Sequence, residues 1–191
     1  MRAYLDTNIL GNWFLLYRKP RTWRKFKPKD KAFQSMILHE DMKIGKYELR
    51  FQTSSWAISE LAQTAMDYRL GVKMIREGRT PEFFNKWKRQ QTINPVEAMQ
   101  IHGSLRSFVQ HIEVLGVVVT EGIINSERIH DFTLRYGLNA PDATHISIAS
   151  RDCGYFVTND EDLCDKKIKE IHVVKPATLE TYAHLRRFMP R

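Results

Sequence analysis

The feature that most constrains the fold is an alternation. Short β-type runs, Ala3–Leu5, Leu49–Thr53, Leu115–Thr120, Tyr155–Thr158 and Ile171–Val174, are separated by stretches whose apolar residues recur at helical spacing. Those stretches lie near 33–42, 55–76, 95–112, 123–136, 141–152 and 177–187. A strand, a helix and another strand in repetition bring each strand back in the same direction, and helices then cover both faces of the sheet. The spacing predicts an α/β fold, a three-layer α/β/α sandwich with a mainly parallel central sheet. With 191 residues, 42% of them apolar, the chain can pack one domain spanning 1–191, and it shows no internal repeat. Two shifts in composition read as excursions from that core: a basic insertion at about 18–31 and a basic helical connection at about 77–94.

In open parallel sheets the carboxyl ends of the strands converge on one crevice, so the residues at those ends carry the argument. The first run ends in Asp6-Thr7-Asn8 and the fourth in Thr158-Asn159-Asp160, the same three residue types in altered order. Glu60, in SSWAISELA, and Asp142, in NAPDATH, stand in the opening turns of helices. Each acid also has a local reading. Asp6 and Asp160 are good helix caps. Asp142 behind Pro141 suits a helix's first turn and its dipole. Glu60 projects roughly 130° from the apolar stripe of its helix, as a solvated glutamate would. Asp6 alone stays open between cap and site.

The set is a different matter. Four carboxylates at one sheet edge repel, so some hold protons or a cation compensates them. An oxygen-only donor set with no paired His or Cys suits a hard divalent ion, Mg²⁺ or Mn²⁺. Such an ion binds phosphate oxygens and lowers the pKa of bound water, which is the chemistry of phosphodiester hydrolysis. The seven histidines are scattered without metal-ligand spacing and read as ordinary surface or core residues.

YLDTNIL at 4–10, SELAQ at 59–63, APDATHISIA at 140–149 and FVTNDEDL at 156–163 resemble, in that order, the motif series of the PIN-domain ribonucleases, a family that includes the VapC-type toxins of toxin–antitoxin pairs. The resemblance spans residues 4–163 and implies an α/β/α sandwich with Mg²⁺- or Mn²⁺-dependent endoribonuclease activity. It implies Asp6, Glu60, Asp142 and Asp160 as catalytic metal ligands, with Asn8 and Thr158 as supporting polar groups and Asp162 as an auxiliary acid; Asp165 reads as surface. It also implies an antitoxin protein as partner and a homodimer. The basic insertion departs from the family pattern and lengthens the interval between Asp6 and Glu60.

That insertion, RKPRTWRKFKPKDK, holds eight basic residues against one acid, so it accounts for nearly all of the net charge of +8. Arg18, Lys19, Arg21, Arg24, Lys25 and Lys27 with Trp23 offer cations to phosphates and a ring to unpaired bases, which points to RNA. A solvated loop is the alternative. Lys86, Lys88 and Arg89 form a smaller candidate of the same kind, where Trp87, Phe83 and Phe84 serve equally well as packing. Two cysteines without a CxxC pair exclude a disulfide framework and a Cys-rich zinc site. No signal peptide and no apolar run of membrane-spanning length is present, which leads to the expectation of a cytoplasmic protein with no membrane partner. The absence of GxGxxG and GxxxxGK[ST] disfavours a nucleotide binder. A non-catalytic RNA-binding module or RNA-processing factor on the same fold is the alternative to the nuclease.

Overall fold

The structure, a computed structural model, describes residues 1–18 and 30–179. Within them lie five strands, β1 (Arg2–Leu5), β2 (Arg50–Ser54), β3 (Val118–Thr120), β4 (Tyr155–Val157) and β5 (His172–Val174). The helices are α1 (Thr7–Arg18), α2 (Lys31–Lys43), α3 (Ser55–Arg76), α4 (Phe84–Lys88), α5 (Pro95–Val114), α6 (Ser126–Tyr136), α7 (Ala140–Ala149) and α8 (Glu161–Cys164). Residues 176–179 are helical again, so the helix expected at 177–187 is only partly within the described residues.

The five strands form one sheet in the order β3-β2-β1-β4-β5, and every neighbouring pair is parallel. Central β1 explains why both faces must be covered. Ala3, Tyr4 and Leu5 have no solvent exposure, and the two-residue period of a strand sends them to opposite sides. Ala3 and Leu5, with Tyr155 and Val157 of β4, enter a core shared with α1, α2, α3 and α5. Tyr4 and Phe156 enter a second core with Phe132 of α6 and Ala143 and Ile146 of α7. Their rings stack at 5.4 Å. These are the three layers of an α/β/α sandwich.

Local chemistry sets the helix starts that matter for the site. Ser54, the last residue of β2, accepts the Ala57 N–H and caps α3. Helix α6 stops at Gly137, whose left-handed φ of 62° favours glycine, and Asn139 then caps α7 through the Asp142 N–H at 2.9 Å. The connection at 77–94 packs mainly on α3. Its Trp87 is buried with Leu70 and Met74 against the second half of α3. Among the described residues, no helix is long and apolar enough to cross a membrane.

Candidate active site

The strand order reverses beside β1: the chain proceeds outward through β2 and β3, then returns to place β4 and β5 on the other side. Ligand sites of open α/β sheets lie at the carboxyl ends of the strands at such a reversal. There the structure has an open cavity of about 600 Å³, lined by Asp6, Glu60, Asp142 and Asp160 together with Thr7, Asn8, His145 and Asn159. Four acids separated by as many as 154 positions therefore share one cleft.

Asp6 follows β1 directly, and its N–H still pairs with Val157 O at 3.1 Å. Its carbonyl accepts from Ile9 and Leu10, so its backbone opens α1. Its carboxylate does not cap that helix in the usual way, through the second or third N–H. Oδ1 accepts from Thr7 N at 2.7 Å, while Oδ2 accepts from Asn8 Nδ2 at 2.6 Å and Thr158 Oγ1 at 2.7 Å. The backbone caps and the carboxylate belongs to the cleft. Thr158 is fully buried, and its hydroxyl also accepts from Asn8 Nδ2 at 2.7 Å and from Asp160 N at 3.0 Å. Asn8 Oδ1 accepts from Asn159 N at 3.0 Å, and Asn159 Nδ2 reaches Ser35 Oγ of α2 at 2.7 Å. One network thus ties the ends of β1 and β4 to α2. Asn159 Oδ1 is buried within it without a partner among the described residues.

Asp160 realises both of its readings. It caps α8 through Oδ1, which accepts from Leu163 N at 3.2 Å, and it lines the cleft. Asp142, held in the first turn of α7 by the Asn139 cap, also lines the cleft. Glu60, half-buried in the second turn of α3, accepts the Thr7 hydroxyl at 2.7 Å on Oε2, and His145 Nε2 lies 2.6 Å from the same oxygen.

His145 is the residue that sequence reasoning missed. It is 3% exposed, and its Nδ1 lies 3.1 Å from Tyr4 OH, which in turn lies 2.6 Å from Ser54 Oγ. A chain of contacts therefore runs from the α3 cap through Tyr4 and His145 to Glu60. The available signal was its position three residues after Asp142, which puts both on one face of α7.

The electrostatics follow from burial and crowding. Burial raises the Asp6 carboxyl above its ordinary range and Asp142 adds to this; His145, Thr158 and Thr7 oppose it. Burial, then the charge of Asp160, raises Asp142. Burial disfavours the His145 imidazolium, yet the Glu60 bond and the charges of Asp6, Glu60 and Asp142 outweigh it, so its pKa is raised. The same bond, with that from Thr7, overcomes partial burial and lowers Glu60. Four carboxylates face only His145 and Lys31 as cationic groups among the lining residues. The excess negative charge and the all-oxygen donors fit Mg²⁺ or Mn²⁺. Among the described residues no three His, Cys, Asp or Glu side chains are gathered closely enough to hold an ion.

The remaining expectations divide. Asp162 is exposed in the first turn of α8 and does not line the cleft; Asp165 is exposed at that helix's end. Lys86 and Arg89 are exposed, whereas Lys88 is engaged, with Nζ 2.6 Å from Asp67 Oδ2 and 5.3 Å from the Phe84 ring centre. Arg18 ends α1. The Arg18 side chain and Lys19, Arg21, Trp23, Arg24, Lys25 and Lys27 lie outside the described residues. The chain matches no known family model, and no curated protein matches it.

Proposed function

We propose that the protein is a metal-dependent endoribonuclease of the PIN-domain type, with Asp6, Glu60, Asp142 and Asp160 as its catalytic acids. The observation that carries this reading is their meeting in one open cleft at the point where the strand order reverses. When bound, Mg²⁺ or Mn²⁺ would offset the charge of the scissile phosphate and lower the pKa of an attacking water.

The chain's own part is positional. Asp6 is held by three hydrogen bonds and provides a fixed wall. Asp142 and Asp160 add two more carboxylates to the lining, Asp160 while also capping α8. His145 and Thr7 both bond to Glu60 Oε2, which aims this acid across the cleft toward α1. Among the described residues no Ser or Cys stands in the cleft lining, and the Thr7 hydroxyl there donates to Glu60 Oε2, so the reading assigns the attack to water.

The charge distribution supports RNA as substrate. Helix α1, whose Gly11 and Asn12 line the cleft, ends at Arg18, and Lys31 at the start of α2 lines it too. The basic run is thus attached at both ends to elements that wall the acidic site. Contact of about four of its cations with a single-stranded phosphate backbone gives a log–log salt slope of roughly −3. The same family reading extends to a VapC-type toxin, a homodimer paired with an antitoxin protein. Co-purification with the product of a short adjacent reading frame tests it.

The deciding experiment incubates the protein with a mixed RNA pool in Mn²⁺, Mg²⁺ or EDTA, beside Asp6→Asn and Asp142→Asn. Cleavage that needs the metal and both acids is the expected result. Cleavage that survives EDTA or either substitution refutes the mechanism. RNA binding without cleavage in every condition favours a non-catalytic RNA-binding module.

A further inference from the structure

Tyr4 carries a polar atom that its packing does not require. Its ring has no solvent exposure and stacks on Phe156 at 5.4 Å, a place that phenylalanine would fill equally well. A hydroxyl in such a layer costs free energy unless it is bonded. This one has two partners, Ser54 Oγ at 2.6 Å and His145 Nδ1 at 3.1 Å. Ser54 alone would satisfy it. The contact with His145 is the one that the core leaves unexplained.

The placement of protons follows from the far end of the chain of contacts. Burial would raise the Glu60 carboxyl, but the bonds from His145 and Thr7 outweigh it and hold it low. Glu60 is therefore ionised near neutral pH and can only accept, so His145 Nε2 carries the hydrogen that points at Oε2. His145 Nδ1 then meets Tyr4 as its one hydrogen-bond partner among the described residues. Burial raises the Tyr4 phenol well above its ordinary range, so it keeps its proton. The phenol can donate to a bare Nδ1 while accepting from Ser54, or accept from a protonated Nδ1 while donating to Ser54. The ring is thus held at both nitrogens whatever its charge. Its orientation matters twice, because Thr7 Oγ1, the other donor to Glu60 Oε2, also lies 3.3 Å from Nε2. Glu60, half-buried on α3 with several rotamers open to it, takes its direction from these two groups.

We propose that Tyr4 is a positioning residue for the metal site: it clamps the His145 ring and, through that ring, the Glu60 carboxylate. The proposal rests on the nuclease reading and deepens it, since Tyr4 does not line the cleft and yet sets how well the cleft holds an ion. Loss of a partner that orients a metal ligand costs about 10- to 100-fold in metal affinity or activity. Tyr4 stands one residue further out, which places its effect at the lower end, about tenfold.

The test is a double-mutant cycle of Tyr4→Phe and His145→Gln, with Thr120→Val as control. Thr120 Oγ1 donates to Thr53 O at 2.9 Å and does not line the cleft, so the control also removes a hydroxyl from the sheet. Mn²⁺ binding without RNA is followed by electron paramagnetic resonance, cleavage of an unstructured RNA by kcat and KM, and folding by the thermal melt in EDTA. Tyr4→Phe should keep a cooperative melt, bind Mn²⁺ about tenfold more weakly and lower kcat at subsaturating Mn²⁺, with KM for RNA unchanged. In the His145→Gln background the same substitution should leave Mn²⁺ affinity within about twofold, because its effect passes through the ring. Thr120→Val should match wild type in binding and cleavage. Equal losses in the two backgrounds would show a general packing role and overturn the proposal. So would a Tyr4→Phe protein that binds Mn²⁺ as wild type does. Both of those results leave the nuclease reading standing, whereas a wild-type protein that neither binds Mn²⁺ nor cleaves RNA overturns the two together.

Discussion

Thr158→Val probes the anchoring of Asp6 with almost no change of volume. The residue is fully buried, so the substitution opens no cavity and its cost is polar. Three hydrogen bonds disappear. The one donated to the Asp6 carboxylate is charge-assisted, and such bonds contribute about 1.5–3 kcal/mol. Asn8 Nδ2 loses one acceptor but keeps Asp6 Oδ2 at 2.6 Å, so nothing is orphaned there. The Asp160 N–H loses its acceptor near the cleft, where water can replace it, at a cost of no more than about 1 kcal/mol. The expected destabilisation is therefore roughly 2–4 kcal/mol, which for a chain of this size lowers the melting temperature by about 5–15 °C. The sign of the pH dependence follows from the same bond. Burial already raises the Asp6 carboxyl and the Thr158 bond opposes it, so its removal raises that carboxyl further. A raised acid contributes stability that is present at low pH and lost as pH rises through the folded pKa. The deficit relative to wild type, measured by thermal melts in EDTA, should thus be larger at pH 8 than at pH 5. Metal-dependent cleavage should fall about 10- to 100-fold, the usual effect of removing the partner that orients a ligand. A variant that melts with the wild type at both pH values would refute the idea that Thr158 holds Asp6 in place.

Three further outcomes are expected. His145→Gln shortens the reach to Glu60 and removes the imidazolium; cleavage should fall 10- to 100-fold with RNA affinity in EDTA little changed, and equal loss of both would show a merely structural role. His39 and His111 meet with their Nε2 atoms 3.0 Å apart between α2 and α5, and burial lowers both, opposed at His39 by Glu40 and reinforced at His111 by the charges of His39 and Lys43. A lowered base contributes stability above its ordinary pKa of 6.5 and loses it as pH falls, so the melting temperature should drop between pH 7.5 and 5.5, and His111→Gln should flatten that drop. Lys88→Ala, which breaks the pair with Asp67, should cost about 0.5–1 kcal/mol in a denaturant titration without altering RNA affinity, whereas Lys86→Ala with Arg89→Ala should leave stability within about 0.5 kcal/mol.

All five strands were legible as short local runs of apolar and β-branched residues; β1 and β4, whose Ala3–Leu5 and Tyr155–Val157 are buried on both faces, show the reason most directly. Strand β3 is the instructive deviation. The apolar run 115–120 reads as one strand, but α5 continues to Val114, Gly116 turns the chain with a φ of 85°, and only Val118–Thr120 pairs with β2. Apolar character marked the segment, and the hydrogen-bond ladder chose its start. The acids were legible for a related reason: topology converts position at a strand end into position in a crevice, so Asp6 and Thr158-Asn159-Asp160 could be placed without coordinates. Trp87 was not, since an aromatic among lysines reads equally as contact or as core, and only its burial against Leu70 and Met74 decides.

What the sequence determined by itself was therefore what depends on neighbours in the chain: the alternation of elements, the helical stretches beginning near 55 and 141, the cap at Asp160, and the acids that follow the strands. Tertiary structure decided the rest. Glu60 and His145 are 85 residues apart, and no local spacing reports that they share a hydrogen bond. Nor could Asp6 be told from a cap until β4 set Thr158 against its carboxylate, 152 residues away. Capping is settled by backbone dihedrals within one turn, whereas the charge state and direction of a buried carboxylate are settled by whatever donors the folded chain brings to it.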